Sequence, residues 1–384
     1  MKKYIEKLAL YYIQSDLKNF SKPTPTFIKS GFYLIKLTLS DGSYSLGEPH
    51  PYSGNKRQFI NVIKKIFKFI KKKELNYLNL STIKKKRNLN INKLCMSSCL
   101  AAIDSSIQNI KNKSNINFKS KKIISPNLYA SGGMIFEDQN TKLLVDEMLT
   151  CKKMKFKGWK FRPPSPRSFK NHNQRLKSPD FIDVKKLIKI CELMRINAGK
   201  DFDLMLDVGC RCKNFKDAKY LLEGIYDLNF SFIEEPVKRN FQIYKRIKKI
   251  KNKPKIAFGE HFSTLKDINY VFSKKLLDIF QPDTNLLLQQ ELKTIVKKAS
   301  KYDIEIIPHN WFNLVNFQSN LSFLDLLKKK NKSIEFNILK NPYNHLFINN
   351  AFFVNGSKIS IKNKNYQGIE YDFKKFEKFK IYES

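Results

Sequence analysis

Six acidic or histidine residues recur at nearly even spacing along the C-terminal two thirds of the chain, each close to the end of a short apolar run. The intervals between them are 27, 26, 23, 26 and 26 residues. One strand, one helix and two loops consume about that many residues, so the pattern predicts successive βα units. Because the C-terminal ends of the strands of a (β/α)8 barrel meet at one mouth, these side chains would share a pocket typical of an enzyme. The six residues are Asp207, Glu234, Glu260, Asp283, His309 and Glu335.

Alternating apolar and polar segments predict two packed domains in this chain of 384 residues. Residues 1–122 combine two strand-like runs, joined by the turn signal at 40–42, with helical stretches, which indicates an α+β domain. In residues 123–345, strand candidates alternate with helical stretches, which favours a parallel α/β barrel. Residues 346–384 form a separate C-terminal segment. The eight strand candidates are 128–133, 158–162, 203–207, 230–234, 255–260, 278–281, 304–308 and 333–337.

The net charge of +39 comes from 73 basic and 34 acidic residues. The basic residues are mostly lysine and spread over the whole length, whereas nucleic-acid binders gather charge on one face and use arginine and aromatic residues. The pattern therefore favours solvated helix faces, although such a field could attract anionic substrates. A basic nucleic-acid-binding protein with a decayed barrel site is a remote alternative, which salt-sensitive DNA binding would indicate.

The sequence also bears on location and redox state. No apolar run reaches the roughly 18 residues of a membrane span. The basic N-terminus resembles a signal peptide, but Glu6 and Lys7 interrupt its apolar stretch and no small-residue cleavage site follows. We therefore expect a cytoplasmic protein. The six cysteines lack the spacing of a disulfide framework, which predicts reduced thiols.

Three carboxylates at the ends of adjacent predicted strands suggest a metal site. Asp207, Glu234 and Glu260 offer hard oxygen ligands, which suit Mg2+. The alternative is that Asp207 caps the next helix and the glutamates face solvent. Glu235 is the weaker candidate ligand, because the two-residue period of a strand would turn it to the other face.

Two further sets of residues suggest acid/base and electrostatic roles. Lys160 and Arg162 lie two positions apart on one strand, so both side chains share a face. They could abstract a proton or bind a substrate carboxylate, with Arg162 supplying fixed positive charge; an outward-facing basic pair is the alternative. Asp283, one βα unit before His309, could accept a bond from one ring nitrogen and raise the basicity of the other. Glu335 fits an acid group or an outward-facing residue equally well.

Taken in order, these motifs resemble the enolase superfamily, specifically its mandelate racemase-like subgroup. The resemblance implies a modified TIM barrel, (β/α)7β, with an N-terminal α+β capping domain that the C-terminal segment completes. It implies Mg2+ bound by Asp207, Glu234 and Glu260, an acid/base pair of His309 and Asp283, and Glu335 near the substrate carboxylate. The segments that carry it are SDGSYSLGEPHPYSG, AAIDSSIQNIKNKS, LYASGG, the Lys160-x-Arg162 pair, Asp207, FIEEP, GEH, QPD, PHNW and GIEYD.

The resemblance also implies a reaction. A base removes the proton beside a carboxylate, and Mg2+ stabilises the enediolate that forms. In sugar-acid dehydratases the β-hydroxyl then leaves, whereas in racemases a second base reprotonates the opposite face. Arg162 stands where the racemase pattern has a second lysine, so we expect a Mg2+-dependent sugar-acid dehydratase, a hydro-lyase. The alternative is a racemase or epimerase of a 2-hydroxy or amino acid derivative.

Partners and specificity follow from the same resemblance. We expect a small carboxylate substrate, a sugar acid, and a homo-oligomer, with neither nucleic acid nor membrane as a partner. Substrate specificity should come from the capping segments 17–32 and 50–54, together with the proline-rich loop 163–182 around His172.

Overall fold

The computed structural model describes residues 2–16, 29–85, 92–114, 126–133, 135, 141–164, 181–311, 314–327, 332–338, 352–361 and 373–384. The N-terminal part contains an antiparallel sheet, covered by helices, with the strand order β14-β1-β2-β3, in which β14 (Lys380–Glu383) comes from the C-terminal segment. Its elements are β1 (Ile5–Asp16), β2 (Lys29–Leu39), β3 (Tyr44–Gly47), α1 (Lys56–Ile70), α2 (Leu80–Lys85) and α3 (Lys93–Ser114).

Strand β1 is not among the predicted strands, because the apolar stretch of its segment resembles that of a leader. Both of its faces are buried in the middle of the strand: Leu8 and Leu10 pack against the helices, whereas Ala9 and Tyr11 pack in a second apolar cluster. A strand covered on both faces has a nearly continuous apolar sequence, which resembles the apolar stretch of a leader.

Local sequence signals explain the helices that cover this sheet. The Asn55 side chain accepts the Gln58 N–H, and the Gln58 side chain accepts the Asn55 N–H, so a capping box begins α1. Apolar side chains of α1 and α3 then pack on the sheet. Gly47 ends β3 where it meets α3, and a Cβ there would lie 1.9 Å from the Ala102 carbonyl oxygen. Only glycine permits that approach.

The second part is a parallel sheet of eight strands in the order β10-β9-β8-β7-β6-β5-β4-β11, with a helix between each consecutive pair in the chain. This (β/α)7β arrangement confirms the predicted fold class. The strands are β4 (Asn127–Gly132), β5 (Gly158–Phe161), β6 (Asp203–Asp207), β7 (Phe230–Glu234), β8 (Ile256–Phe258), β9 (Ile279–Phe280), β10 (Glu305–Ile306) and β11 (Ser333–Asn337). The helices are α4 (Lys142–Lys153), α5 (Val184–Ala198), α6 (Phe215–Gly224), α7 (Phe241–Ile247), α8 (Leu265–Ser273), α9 (Gln289–Tyr302) and α10 (Leu314–Leu324).

Side chains from distant strands meet inside this sheet, which shows that it curls into a barrel. Tyr129 on β4 packs in one cluster with Phe232 on β7 and Ile279 on β9. Across the β10–β11 boundary, the Asn310 side chain donates to the Glu335 carbonyl oxygen at 3.1 Å. Side-chain polar groups thus link the two ends of the sheet order.

The C-terminal residues contact both parts of the protein. The hairpin of β12 (Phe352–Asn355) and β13 (Lys358–Ile361) lies against the barrel, where Leu128 N–H donates to the Ser357 carbonyl. After a short helix, α11 (Phe373–Phe376), strand β14 (Lys380–Glu383) pairs antiparallel with β1. The predicted boundaries at 122 and 345 remain predictions.

None of the six cysteines forms a disulfide, as predicted. Within the described ranges, no helix has the length and apolar character required to cross a bilayer.

Candidate active site

All eight predicted site residues lie at the end of the barrel where the strands terminate. Asp207 and Glu234 are the last residues of β6 and β7 and are paired in register. Glu260, Asp283 and His309 follow β8, β9 and β10. Seven of the eight residues are at most 9% exposed, and the Arg162 side chain is 18% exposed. Parallel strand direction therefore brings residues distant in sequence into one buried cluster.

The Lys160 side chain joins two carboxylates. Its Nζ lies 2.6 Å from Glu234 Oε2 and 2.9 Å from Glu335 Oε1. Burial disfavours the ammonium, but these two carboxylates more than offset it and hold the pKa of Lys160 well above its usual value. Burial alone would raise the pKa of Glu335, but Lys160 and His309 lower it to about 2. In this arrangement Lys160 is a charged donor, and Glu335 faces the pocket.

Arg162 pairs with the first predicted metal ligand. Its Nε lies 2.5 Å from Asp207 Oδ2, and its guanidinium lies 5.4 Å from the centre of the Trp311 ring. The other Asp207 oxygen accepts the Gly209 N–H at 2.8 Å. Because the side chain of Asn214 caps α6 instead, the alternative in which Asp207 caps that helix is wrong.

The other two predicted ligands differ in their surroundings. Glu234 Oε2 also accepts a bond from the Gln281 side chain at 2.7 Å. Burial and neighbouring carboxylates raise the pKa of Glu234 to about 8, although Lys160 opposes the shift. Gly259, at φ +140°, precedes Glu260, and a Cβ on this glycine would clash with the Phe280 ring.

The donor set fits a hard divalent cation. Asp207, Glu234 and Glu260 place three carboxylates at this mouth without a thiolate among them, and hard oxygen ligands are what Mg2+ prefers. Among the described residues, however, the group whose ligand atoms all lie within 4.8 Å of one another contains only Glu260 of these three. Glu260 Oε2 is buried and has no hydrogen-bond partner in the described structure, although His309 Nε2 is 3.1 Å away. Arg162 now neutralises Asp207, and Lys160 neutralises Glu234. A bound cation would replace these two positive side chains.

The prediction that Glu235 points away from this site is wrong. Ligand atoms of Glu235, Glu260 and His261 all lie within 4.8 Å of one another. Glu235 has a φ of +42°, so it has left the extended conformation on which the two-residue period depends. Its carboxylate also accepts a bond from the Cys210 thiol at 3.2 Å.

His309 contacts carboxylates with both ring nitrogens. Nδ1 lies 3.2 Å from Asp283 Oδ2, and Nε2 lies 3.1 Å from Glu260 Oε2. Burial alone would lower the pKa of His309, but Glu260 and the bond to Asp283 raise it to about 10. Asp283 Oδ1 accepts the Asn285 N–H at 2.8 Å, which leaves Oδ2 to face the imidazole.

Comparisons with known proteins identify the family. A model of the enolase C-terminal domain-like family matches residues 139–375, more than half of the chain. The chain belongs to the enolase superfamily. Its members act on small carboxylate substrates and typically bind Mg2+. No protein sequence among the curated proteins matches the chain.

Solved structures of this superfamily share the whole fold. The 3,6-anhydro-D-galactonate cycloisomerase from Zobellia galactanivorans is 21% identical, with 98% of this chain and 99% of that chain covered and a TM-score of 0.81. An enolase-superfamily member from Polaromonas sp. JS666 is 20% identical, with 99% and 97% covered and a TM-score of 0.82. A candidate dehydratase from Mesorhizobium loti is 17% identical, with 100% of both chains covered and a TM-score of 0.80. At these identities the likeness establishes the fold alone.

Several side chains of this enolase-superfamily site were missed by sequence reasoning about individual residues. His261 and Gln281 adjoin predicted site residues, within the GEH and QPD segments. His50 lies at the start of the segment 50–54 that was expected to influence specificity. Tyr129 reads as a core aromatic residue, yet its buried hydroxyl has no hydrogen-bond partner in the described structure, and its ring centre lies 6.0 Å from Lys160 Nζ. It lies there because β4, which carries Tyr129, pairs with β5, which carries Lys160.

Some predicted features lie outside the described residues. They are 165–180 of the proline-rich loop with His172, 17–28 of the first capping segment, and the GIEYD motif at 368–372. Their roles remain predictions.

Proposed function

We propose that this protein is a Mg2+-dependent acid-sugar dehydratase. It would remove the proton α to a carboxylate and then eliminate the β-hydroxyl as water. The observation that carries the proposal is the pairing of a buried His–Asp dyad with a buried ammonium at one carboxylate-rich mouth. His309 contacts Glu260 there, and Lys160 contacts Glu234.

Asp207, Glu234 and Glu260 would hold the metal. When bound, the ion supplies positive charge beside the substrate carboxylate. Lys160 and Arg162, which now pair with two of these ligands, would then present their charges to the substrate. Such fixed donors in a water-poor pocket stabilise the negative charge that develops during proton abstraction.

His309 would exchange the protons. With Nδ1–H donating to Asp283 Oδ2, the Nε2 lone pair takes the α-proton as the C–H bond breaks. The electron pair of the broken C–H bond forms the new double bond between the α- and β-carbons as the C–O bond at the β-carbon breaks. The leaving oxygen takes a proton from the imidazolium and departs as water. The enol that remains rearranges to a 2-keto-3-deoxy acid. Glu260 is the largest of the causes that raise the pKa of His309, and a cation held by Glu260 would offset it and free Nε2 for the base half of this cycle.

The test is a screen of purified protein against acid sugars with Mg2+, read as formation of a 2-keto-3-deoxy acid. We expect one or more substrates to be converted, and activity to vanish with chelator. His309→Asn should lower kcat about 10²–10⁴-fold, the usual contribution of a positioned acid or base. Lys219→Met is the control, because Lys219 is exposed on α6, where it pairs with Glu223, and takes no part in the proposed chemistry. A fully active His309→Asn enzyme would refute the proposal.

A racemase or epimerase is the second candidate, since Lys160 reaches the same carboxylate cluster from β5. Arg162, which stays charged, stands where the racemase pattern has a second lysine, and this favours dehydration. Exchange of the α-proton with solvent deuterium, without loss of water, would select this alternative. The cytoplasmic location and self-association expected from the sequence also remain proposals; light scattering on the purified protein tests the latter.

A further inference from the structure

We propose that His50, a residue of the N-terminal domain, is a positioning residue for the Asp283–His309 pair. The acid/base pair would thus be completed only when the N-terminal domain is seated on the barrel. The inference rests on the proposed function in one respect, which is that His309 is the acid/base group.

The His50 side chain is held in one orientation. It is 3% exposed, and its backbone N–H donates to Ser98 Oγ at 2.6 Å. Its ring Nδ1 accepts the Tyr52 N–H at 3.3 Å, and Ser53 Oγ donates to its carbonyl oxygen at 2.8 Å. With Nδ1 as an acceptor, the proton of the neutral ring is on Nε2.

That proton is directed at the carboxylate of the dyad. His50 Nε2 lies 3.7 Å from Asp283 Oδ2, the same oxygen that lies 3.2 Å from His309 Nδ1. At 3.7 Å the contact is an attraction between charge and dipole rather than a hydrogen bond. Because Asn285 N–H fixes the other oxygen and Asp283 is fully buried, the two imidazoles determine the direction of Oδ2.

His50 acts in this contact as a neutral donor. Burial lowers its pKa to about 4 despite the attraction of Asp283. The ring can therefore orient the carboxylate without neutralising it.

The chain segment after Asp283 is anchored to the same domain. Lys84 Nζ donates to the Leu286 carbonyl at 3.3 Å and to Glu291 Oε2 at 2.6 Å. Gln289 N–H donates to Asp104 Oδ2 at 2.7 Å, and the Leu288 side chain packs within the apolar core of the N-terminal domain. The N-terminal domain thus holds both His50 and the loop that carries Asp283. Its docking on the barrel therefore determines the distance between His50 and Asp283.

Three variants distinguish positioning from packing and from substrate contact. His50→Gln keeps a donor near the place of Nε2, whereas His50→Leu keeps the volume and removes the donor. Ile63→Ala is the control, because Ile63 is buried in the core of the N-terminal domain and its loss destabilises that domain without touching the dyad.

We expect His50→Leu to lower kcat about 10–100-fold, the usual effect of losing a residue that orients an active-site ligand, with KM changed less than about threefold. His50→Gln should recover most of the lost kcat, and Ile63→Ala should lower the melting temperature while keeping kcat. A His50→Leu kcat within twofold of the original protein would overturn the proposal. So would equal loss in His50→Leu and His50→Gln, which indicates packing, or a raised KM at unchanged kcat, which indicates substrate contact.

A readout without turnover separates this proposal from the proposed function. In protein labelled with 15N-histidine and free of substrate, the Nδ1 proton signal of His309, assigned with His309→Asn, should shift in His50→Leu and return in His50→Gln. An unmoved signal overturns the positioning role whatever the enzyme catalyses. Failure of every acid sugar to react would refute the dehydratase proposal and leave this result standing.

Discussion

Removing the Lys160 ammonium should destabilise the protein strongly. Lys160 is 2% exposed and bonds to two carboxylates that are each 1% exposed, at 2.6 and 2.9 Å. Lys160→Met keeps most of the side-chain volume but leaves Glu234 and Glu335 buried without their cation. Breaking a buried ion pair in this way costs about 3–5 kcal/mol. At about 2 °C per kcal/mol for a large domain, the melting temperature should fall by roughly 6–10 °C.

The assay is thermal unfolding in chelator, with Lys219→Met as the matched control. Lys219 pairs with Glu223 on the surface of α6, where both side chains are more than 40% exposed. A surface pair of this kind contributes only about 0.3–0.5 kcal/mol. If both variants melt within about 1 °C of each other, Lys160 does not neutralise the cluster as described. Saturating Mg2+ should reduce the difference in melting temperature between the two variants, because a divalent cation restores positive charge beside Glu234.

Two further predictions concern the metal and the pH dependence of stability. Glu260→Gln should weaken Mg2+ binding at least about tenfold, as measured by calorimetry. Equal weakening by His261→Asn would indicate that the metal binds instead to the cluster of Glu235, Glu260 and His261. Because burial lowers the pKa of His50 from 6.5 to about 4, its contribution to stability is present above pH 6.5 and is lost as the pH falls through 4. The loss amounts to at most about 3 kcal/mol, so the melting temperature should fall less steeply over this range in His50→Gln; parallel curves would contradict the assignment. The groups that act on His50 are Asp283, His261, His309 and Glu260.

Periodicity in the sequence was sufficient to predict the barrel. Residues such as Asp207, Glu234 and His309 recur near strand ends at the interval of one βα unit, and parallel strands bring such ends to one side. The same periodicity predicts the short strands β9 and β10, which have two residues each, because the prediction depends on the interval between strand ends and not on strand length.

Local rules failed where the backbone departs from regular geometry. The two-residue period directed Glu235 away from the site, but its positive φ turns it towards Glu260. Strand β1 lacked an alternating pattern, because other parts of the protein cover both of its faces. Neither a backbone angle nor a covering layer can be read from the residues themselves.

The sequence by itself determined that the eight predicted site residues lie at the barrel mouth, because strand-end position and side-chain type are properties of the local chain. Only the tertiary structure decided which of these groups pair: Lys160 with Glu234 and Glu335, Arg162 with Asp207, and His309 with both Asp283 and Glu260. Burial and contacts of about 3 Å set charge states and pKa values, and these depend on how the strands close around the axis. Sequence spacing determines at which end of the barrel these side chains lie, whereas the curvature of the sheet determines the distances between them.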